Sequence, residues 1–188
     1  MTPTKDGDED PSPEPRNERV EDRTYPHDRL PRELEIQVLA FVRIVWPDAL
    51  VGDERFRSRM WDDPPPTHFV RSVGDLLVSH AQVFDLEFAG DEGTVRIGGV
   101  GAVMTYPQFR REGHGSGVMR TAAEHIEAVD DVGVLFCAES NVPFYSGLGW
   151  SRLEPGRVVV RGAMPDDVVM AIGDPDRVPT PLRLDWSW

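Results

Sequence analysis

The chain of 188 residues is poor in cysteine and lysine, and it has no long hydrophobic run. Its single cysteine, Cys137, excludes an internal disulfide and a zinc site built from several cysteines. Because Cys137 lies in an apolar run, we expect it to pack inertly in the core. No apolar stretch approaches the roughly 18 residues that a membrane span needs, and the acidic start is not typical of a signal peptide. These features predict a cytoplasmic protein.

Positive charge is also scarce. The chain has 20 basic and 33 acidic residues, which gives a net charge of −13 at pH 7. This balance argues against nucleic acid or an anionic membrane as the main partner. Lys5 is the only lysine, so all other basic residues are arginines. A GC-rich genome explains the arginines most simply, although an acidic, lysine-poor surface would also suit a high-salt cytoplasm.

The length suits one sizeable core and is too short for two ordinary domains. Residues 1–28 are rich in Pro, Asp, Glu and Arg and carry almost no apolar residue. Such a segment cannot bury enough surface to offset its ordering entropy, so we predict a disordered acidic tail. Residues 29–188 are predicted to form a single domain.

Hydrophobic periodicity predicts both helices and strands in this domain. Apolar residues recur at helical spacing within residues 34–45, within 118–126 and in a short segment at 142–146. Strands are predicted at residues 68–73, 76–88, 94–105, 132–138, 157–161, 168–172 and 182–186. Turns that contain Asp and Gly join the first three strands, which is typical of antiparallel hairpins. The order of elements predicts an α/β fold in which helices flank a mixed sheet.

Three alternating glycines, Gly113, Gly115 and Gly117, open the central helix directly after Arg110 and Arg111. The first N–H groups of a helix have no internal acceptor and carry partial positive charge. Glycines let a ligand approach these groups closely, and the two arginines add charge and donors. A tight corner between strand and helix would need fewer glycines. The stretch therefore predicts a phosphate or pyrophosphate cradle.

Two common phosphate-binding patterns fit poorly. A P-loop needs a lysine after its last glycine, and no lysine follows Lys5. A dinucleotide-binding fold needs G-x-G-x-x-G directly after a strand. Here the spacing is G-x-G-x-G, and residues 106–112 separate the strand from the first glycine. A nicotinamide enzyme is therefore the weaker hypothesis.

Three segments together resemble the GNAT superfamily of N-acetyltransferases. Residues 110–115, RREGHG, are similar to its R/Q-x-x-G-x-G/A signature, in which a helix start holds the pyrophosphate of acetyl-coenzyme A. Residues 103–110 are similar to the end of the family's fourth strand, and residues 141–150 to the block after its fifth strand. The resemblance implies a mostly antiparallel sheet whose strands four and five splay apart, with pantetheine in the gap.

The resemblance also implies roles for individual residues. Acetyl-coenzyme A is the implied cosubstrate, and the implied reaction acetylates a primary amine of a small molecule. Tyr145 would protonate the sulfur of the departing coenzyme A, which suits a phenol of pKa near 10. A non-catalytic acyl-CoA-binding regulatory module of the same fold is the alternative. The residues implied to bind the cofactor are Val103, Met104, Thr105, Arg110, Arg111, Glu112, Gly113, His114, Gly115, Ser116, Gly117, Asn141 and Phe144.

The base that deprotonates the amine is less well defined. Asp85 and Glu87 lie two residues apart on a predicted strand, so they share a face and are candidate catalytic bases. His80 is another candidate, although a single histidine in an apolar run is more often structural, and a water chain would serve equally well. His125 has no partner at ligand spacing, so no metal site is predicted.

Within the superfamily, the closest resemblance is to the aminoglycoside 2′-N-acetyltransferases. It rests on residues 52–53, 79–83 and 184–188, and it implies that Asp53, Asp185 and Trp188 contact the amine substrate. Two polar features of those enzymes are replaced here, by Gly98 and by residues 136–138. Another amine therefore stays open as the acceptor. The sequence does not define the oligomeric state, and a homodimer is compatible with it.

Overall fold

The computed structural model describes residues 19–49, 51–56, 64–90, 93–160 and 167–184, and these ranges contain three α-helices and nine strands. The helices are α1 (Arg32–Val45), α2 (His114–Val129) and α3 (Val142–Ser146). The strands are β1 (Val20–Pro26), β2 (Thr67–Val73), β3 (Leu76–Gly90), β4 (Gly93–Thr105), β5 (Val132–Cys137), β6 (Ser151–Arg152), β7 (Val158–Val160), β8 (Val168–Gly173) and β9 (Leu182–Leu184).

Seven strands form one sheet in the order β1-β2-β3-β4-β5-β8-β6, and β7 pairs with β9 in a second, small sheet. Neighbours from β1 to β4 are antiparallel, β4 and β5 are parallel, and β5 and β8 are again antiparallel. The prediction of a mixed, mostly antiparallel sheet is therefore confirmed.

The two longer helices cover opposite faces of the large sheet. Successive side chains of a strand point to opposite faces. Phe69 of β2 accordingly belongs to the core under α2, and the next residue, Val70, belongs to the core under α1. The buried stripe of α2 lies in the predicted range 118–126 and consists of Val118, Met119, Ala122 and Ile126, together with Gly117. Burial of each side chain of the size of valine or larger stabilises the fold by about 1.5–3 kcal/mol, and these side chains hold α2 on the sheet.

The beginning of the fold differs from the prediction. Residues 20–26 fall within the predicted disordered tail, but they form the edge strand β1 and pair with all of β2. All but one of the β1 side chains are exposed, so no apolar alternation marks the strand in the sequence. Backbone pairing holds it, helped by an ion pair of 2.6 Å between Asp22 and Arg71. Residues 1–18 lie outside the described part of the chain.

Strands β4 and β5 separate after a short paired segment. Residues 97–100 of β4 pair with residues 132–135 of β5, and the described residues show no pairing between the two strands beyond this point. β5 continues beside β8 to Cys137, whereas β4 continues beside β3 to Thr105. This confirms the predicted splay and leaves an unpaired edge of β4 along the gap, where a ligand can use its backbone groups.

Candidate active site

A β-bulge distorts β4 where the gap opens. His80 is opposite Met104 and Gln82 is opposite Gly101, so β4 has one residue more than β3 in this interval. Ala102, within the bulge, has a φ of 46°, a left-handed conformation that is uncommon for residues other than glycine. The peptide groups of the bulge are therefore turned out of the regular ladder.

A chain of three histidines supports the bulge from the buried side. His80 Nδ1 donates to the carbonyl oxygen of Ala102 at 2.9 Å. Because Nδ1 carries the proton, His80 Nε2 accepts from His68 Nδ1 at 3.0 Å, and His68 Nε2 accepts from His27 Nδ1 at 3.1 Å. Burial lowers the pKa of His68 to about 2 and that of His80 to about 4, so both rings are neutral at physiological pH.

The same chain orients the peptide between Ala102 and Val103. In a planar trans peptide the C=O and N–H groups point in opposite directions. Since the Ala102 carbonyl points at His80, the N–H of Val103 points away from it. Val103 has no ladder partner in the described parts of β3 and β5. This N–H therefore points away from the face that carries His80, on the stretch of β4 that β5 leaves unpaired.

Helix α2 begins next to the end of β4. Its N-cap, Gly113, has a φ of 83°, and no side chain caps the helix. The first helical hydrogen bond runs from the N–H of Gly117 to the carbonyl of Gly113, at 2.9 Å. The N–H groups of His114, Gly115 and Ser116 therefore have no helical acceptor and carry the partial positive charge of a helix start.

The three glycines at this helix start serve different purposes. Gly113 adopts the left-handed conformation, and no atom lies within 4 Å of the place where its Cβ would be. A Cβ on Gly115 would lie 3.1 Å from Thr105 Oγ1, so this glycine lets α2 approach the end of β4. A Cβ on Gly117 would lie 1.9 Å from Arg71 Nη1. Gly117 thus makes room for Arg71, which differs from its predicted role in ligand approach.

Arg71 is a residue of this site that the sequence analysis missed. Its Nε and Nη2 each donate to Asp22 at 2.6 Å, and its Nη1 donates to the Gly113 carbonyl at 3.5 Å. The hydrogen bonds from Arg71 hold the pKa of Asp22 below its usual value. The pair joins β1 and β2 to the start of α2. No local signal marks it, because Arg71 and Gly113 are 42 residues apart in the chain.

The charged residues before α2 lie near the surface. Arg110 Nε donates to the Thr105 carbonyl at 3.2 Å, and both Arg110 and Arg111 are exposed. Glu112 Oε2 lies 3.4 Å from His114 Nε2, and the His114 side chain is 11% exposed. Both arginines are accessible from solvent close to the helix start, as binding of a phosphate group requires.

Helix α3 also lies close to the start of α2. Its Phe144 ring would be 3.6 Å from a Cβ on Gly115, and the next residue, Tyr145, is buried in the core under α2. The Tyr145 ring packs edge to face against Phe144 and Trp150, with centroids 4.9 Å and 6.4 Å away. Burial, followed by the charge of Cys137, raises the pKa of Tyr145. The phenol is therefore protonated at neutral pH, which is the state that a general acid needs.

The predicted bases lie away from the open part of the gap. Asp85 is opposite Gly98 and Glu87 is opposite Arg96, both before the bulge. At Gly98, β4 is still paired with β5. Asp85 Oδ1 instead accepts from His125 Nε2 at 3.0 Å. This placement argues against Asp85 and Glu87 as catalytic bases, because the closed sheet separates them from the gap.

The remaining predicted residues have varied surroundings. Asp53 is exposed in the 3-10 turn Gly52–Phe56, and Asn141 is exposed in the 3-10 turn before α3. Asp185 and Trp188 lie outside the described residues. Cys137 is buried, and burial is the main cause that raises its pKa to about 11. Its thiol is therefore protonated and unreactive at neutral pH, in agreement with the predicted packing role.

The parallel strand pair that splays beside an uncapped helix start defines a fold for transfer of an acyl group from coenzyme A. Residues 25–153 match the family model for the acetyltransferase (GNAT) domain. The chain belongs to the GNAT family of acetyltransferases.

Solved structures share this fold at low sequence identity. Escherichia coli ElaA is 16% identical over 82% of this chain and 99% of its own, with a TM-score of 0.60. An acyl-CoA N-acyltransferase from Pseudomonas aeruginosa is 16% identical over 82% and 100%, with a TM-score of 0.59. An aminoglycoside 6′-N-acetyltransferase in complex with coenzyme A is 14% identical over 82% and 99%, with a TM-score of 0.61.

No curated protein sequence gives a match to this chain. Among the helices that the structure describes, none has both the length and the apolar character needed to cross a membrane.

Proposed function

We propose that the protein acetylates a primary amine of a small molecule with acetyl-coenzyme A. One observation carries this proposal: the stretch of β4 that β5 leaves unpaired ends beside the uncapped start of α2. Gly115 joins the two features, since its missing side chain lets α2 approach Thr105 at the end of that edge. An acyl donor with a phosphorylated tail can then span from one feature to the other.

The cofactor would lie along β4 with its phosphates at α2. The free N–H groups of His114, Gly115 and Ser116 would bind the pyrophosphate, helped by Arg110 and Arg111. The pantetheine amides would bond with backbone groups of residues 103–105. The side chain of Met104 is buried in the core under α1, so this residue would contribute its backbone alone.

The transfer needs a donor for the oxyanion and an acid for the leaving group. The neutral amine would attack the thioester carbon, and the Val103 N–H would donate to the oxygen as it gains negative charge. Collapse of the tetrahedral intermediate breaks the C–S bond, and Tyr145 would give its proton to the thiolate. The phenolate would then recover a proton from solvent. We assign deprotonation of the amine to water, because Asp85 and Glu87 lie on the closed part of the sheet.

An aminoglycoside is one candidate acceptor, and the 6′-N-acetyltransferase of that class shares the fold. Other small amines are equally open. A second function, non-catalytic binding of acyl-coenzyme A, is favoured by the burial of Tyr145, because a packing role would also explain its position.

A panel of amines separates these functions. Release of free coenzyme A from acetyl-coenzyme A would be followed with a thiol reagent in the presence of tobramycin, spermidine or a peptide with a free amino terminus. Release above hydrolysis with at least one amine supports the enzyme. Tight binding of acetyl-coenzyme A by calorimetry, with no release for any amine, would instead support the binding module.

A further inference from the structure

Asp85, His125 and Asp130 come together near the end of α2 that is remote from the cofactor cradle. One carboxylate oxygen from each aspartate and one imidazole nitrogen lie within 4.8 Å of one another. Asp85 comes from β3, His125 from the last turns of α2, and Asp130 directly follows this helix. Asp85 and His125 are 40 residues apart, so only the fold reveals the cluster.

Asp130 is the unusual member of this cluster. It is 9% exposed, and both its carboxylate oxygens are buried without a hydrogen-bond partner among the described residues. The next residue, Asp131, has the opposite situation: it accepts from the Arg96 N–H at 2.8 Å and pairs with Arg177 at 2.9 Å. A cation bound at this cluster would give the buried Asp130 side chain the positive partner that a buried charge needs.

The residue opposite Asp130 on β4 is a glycine, Gly98. A Cβ on Gly98 would lie 2.8 Å from Asp130 Oδ2 and 2.7 Å from Ile126, so only glycine fits opposite this carboxylate. Solvent reaches the cluster from the other side, since the Asp85 and His125 side chains are 40% and 21% exposed. A small ion can therefore enter, and Asp130 itself lines a cavity of about 490 Å³ together with Glu124 and Glu127.

We propose that Asp85, His125 and Asp130 bind a divalent transition-metal ion, with Zn²⁺ as the best match. Imidazole favours Zn²⁺ over Mg²⁺ and Ca²⁺, and carboxylates complete a common zinc ligand set. In a tetrahedral zinc site the ligand atoms are about 3.4 Å apart. The three side chains therefore need to move only slightly closer together to coordinate the ion. His125 Nε2 would then bind the metal instead of donating to Asp85, with water as the fourth ligand.

Such an ion would join β3 to α2, outside the gap. The sequence alone predicted no metal, because His125 has no ligand partner nearby in the chain. β3 supplies that partner in the fold. This inference does not depend on the proposed acetyl transfer.

Titration of the metal-free full chain with zinc sulfate tests the proposal. Calorimetry should show one Zn²⁺ per chain, and the melting temperature should rise by about 5–10 °C at about 100 times the Kd. Asp130→Asn keeps the shape of the side chain and removes its charge, so it should abolish both effects. Asp85→Asn, at a more exposed position, should do the same.

Glu87→Gln is the matched control. Glu87 is an exposed carboxylate two residues along β3 and outside the cluster, so its variant should bind Zn²⁺ like the natural chain. Unchanged binding in Asp130→Asn and Asp85→Asn would place the ion elsewhere and overturn the proposal. Absence of stoichiometric binding at millimolar Zn²⁺ would overturn it as well.

Discussion

His80 donates from Nδ1 to the carbonyl of Ala102 at 2.9 Å, across a bulge that gives β4 one residue more than β3. This bond connects buried imidazoles to the peptide that carries the N–H of Val103, the oxyanion donor in the proposed reaction. The position of the oxyanion donor in the proposed reaction thus depends on a side chain that does not contact the substrate. His80 is in this sense a positioning residue.

Two variants of His80 should separate positioning from packing. His80→Leu fills space but cannot hold the Ala102 carbonyl, and loss of an oxyanion donor typically costs about 10²–10³-fold in rate. His80→Asn places an amide nitrogen near the position of Nδ1 and should recover part of that loss. Single-turnover rates with an accepted amine measure the effect. Affinity for coenzyme A, which lacks the acetyl oxygen, should stay nearly constant in both variants. Equal rates for the two variants would contradict the positioning role.

The free energy of unfolding should depend on pH through the same histidines. An unfolded histidine takes up a proton near pH 6.5, whereas His80 and His68 stay neutral in the fold down to about pH 4 and about pH 2. The unfolded chain therefore binds more protons as the pH falls below 6.5. Each histidine then lowers stability by about 1.4 kcal/mol per pH unit. Asp130 acts in the opposite sense, since burial and Asp85 raise its pKa to about 7.

Comparison of the natural chain with His68→Gln isolates the contribution of His68 to the pH dependence of stability. Asp130 is present in both proteins, so its contribution cancels. Urea unfolding between about pH 7 and pH 5 should give an average slope against pH that is smaller in the variant by about 1 kcal/mol per unit, because the unfolded histidine becomes fully protonated only toward pH 5. Parallel slopes would show that His68 is not held neutral in the fold.

Charge at the start of α2 should control the affinity for coenzyme A. Gly115→Asp places a carboxylate next to the N–H groups proposed to bind the pyrophosphate, so affinity should fall at least about tenfold. Gly115→Ala adds the same Cβ, 3.1 Å from Thr105 Oγ1, without the charge. It should therefore have a much smaller effect by calorimetry. Equal losses in the two variants would mean that crowding against Thr105 matters and that no phosphate lies there.

The role of Tyr145 is tested by removal of its hydroxyl alone. Tyr145→Phe keeps the ring against Phe144 and Trp150, so the melting temperature and the affinity for acetyl-coenzyme A should barely change. Loss of a general acid should lower the single-turnover rate by about 10²–10⁴-fold. An unchanged rate would show that water protonates the thiolate, and a clear loss of stability would favour the packing role.

Two truncations should show where the folded domain begins. A chain that starts at Arg19 keeps β1 and should melt like the full chain, because the residues before it carry no core-forming pattern. A chain that starts at His27 loses β1 and the Asp22–Arg71 ion pair, so it should melt at a lower temperature. Equal melting temperatures for the two truncations would mean that β1 contributes nothing to the stability of the fold.

The sequence alone determined the features that depend on neighbouring residues. The apolar face of α2 follows from its period, and the antiparallel meander follows from the glycine turns between strand-like runs. Gly113 and Gly115 mark the start of α2, Gly113 through its left-handed conformation and Gly115 through its close approach to Thr105. The resemblance of three ordered segments to the GNAT family then predicted the splay of β4 and β5.

Features that depend on residues far apart in the chain came from the fold. The sequence did not predict β1, because an exposed edge strand needs no apolar side chains. The alternation of residues along β3 placed Asp85 on one face of the sheet but did not show that it lies opposite Gly98. The partners of His80 and His125 come from other elements, Ala102 in the bulge and Asp85 on β3. A bulge and a sheet register bring such pairs together, and neither leaves a local pattern in the chain. Long-range pairing of this kind is a property of the folded sheet, which is why the structure had to supply it.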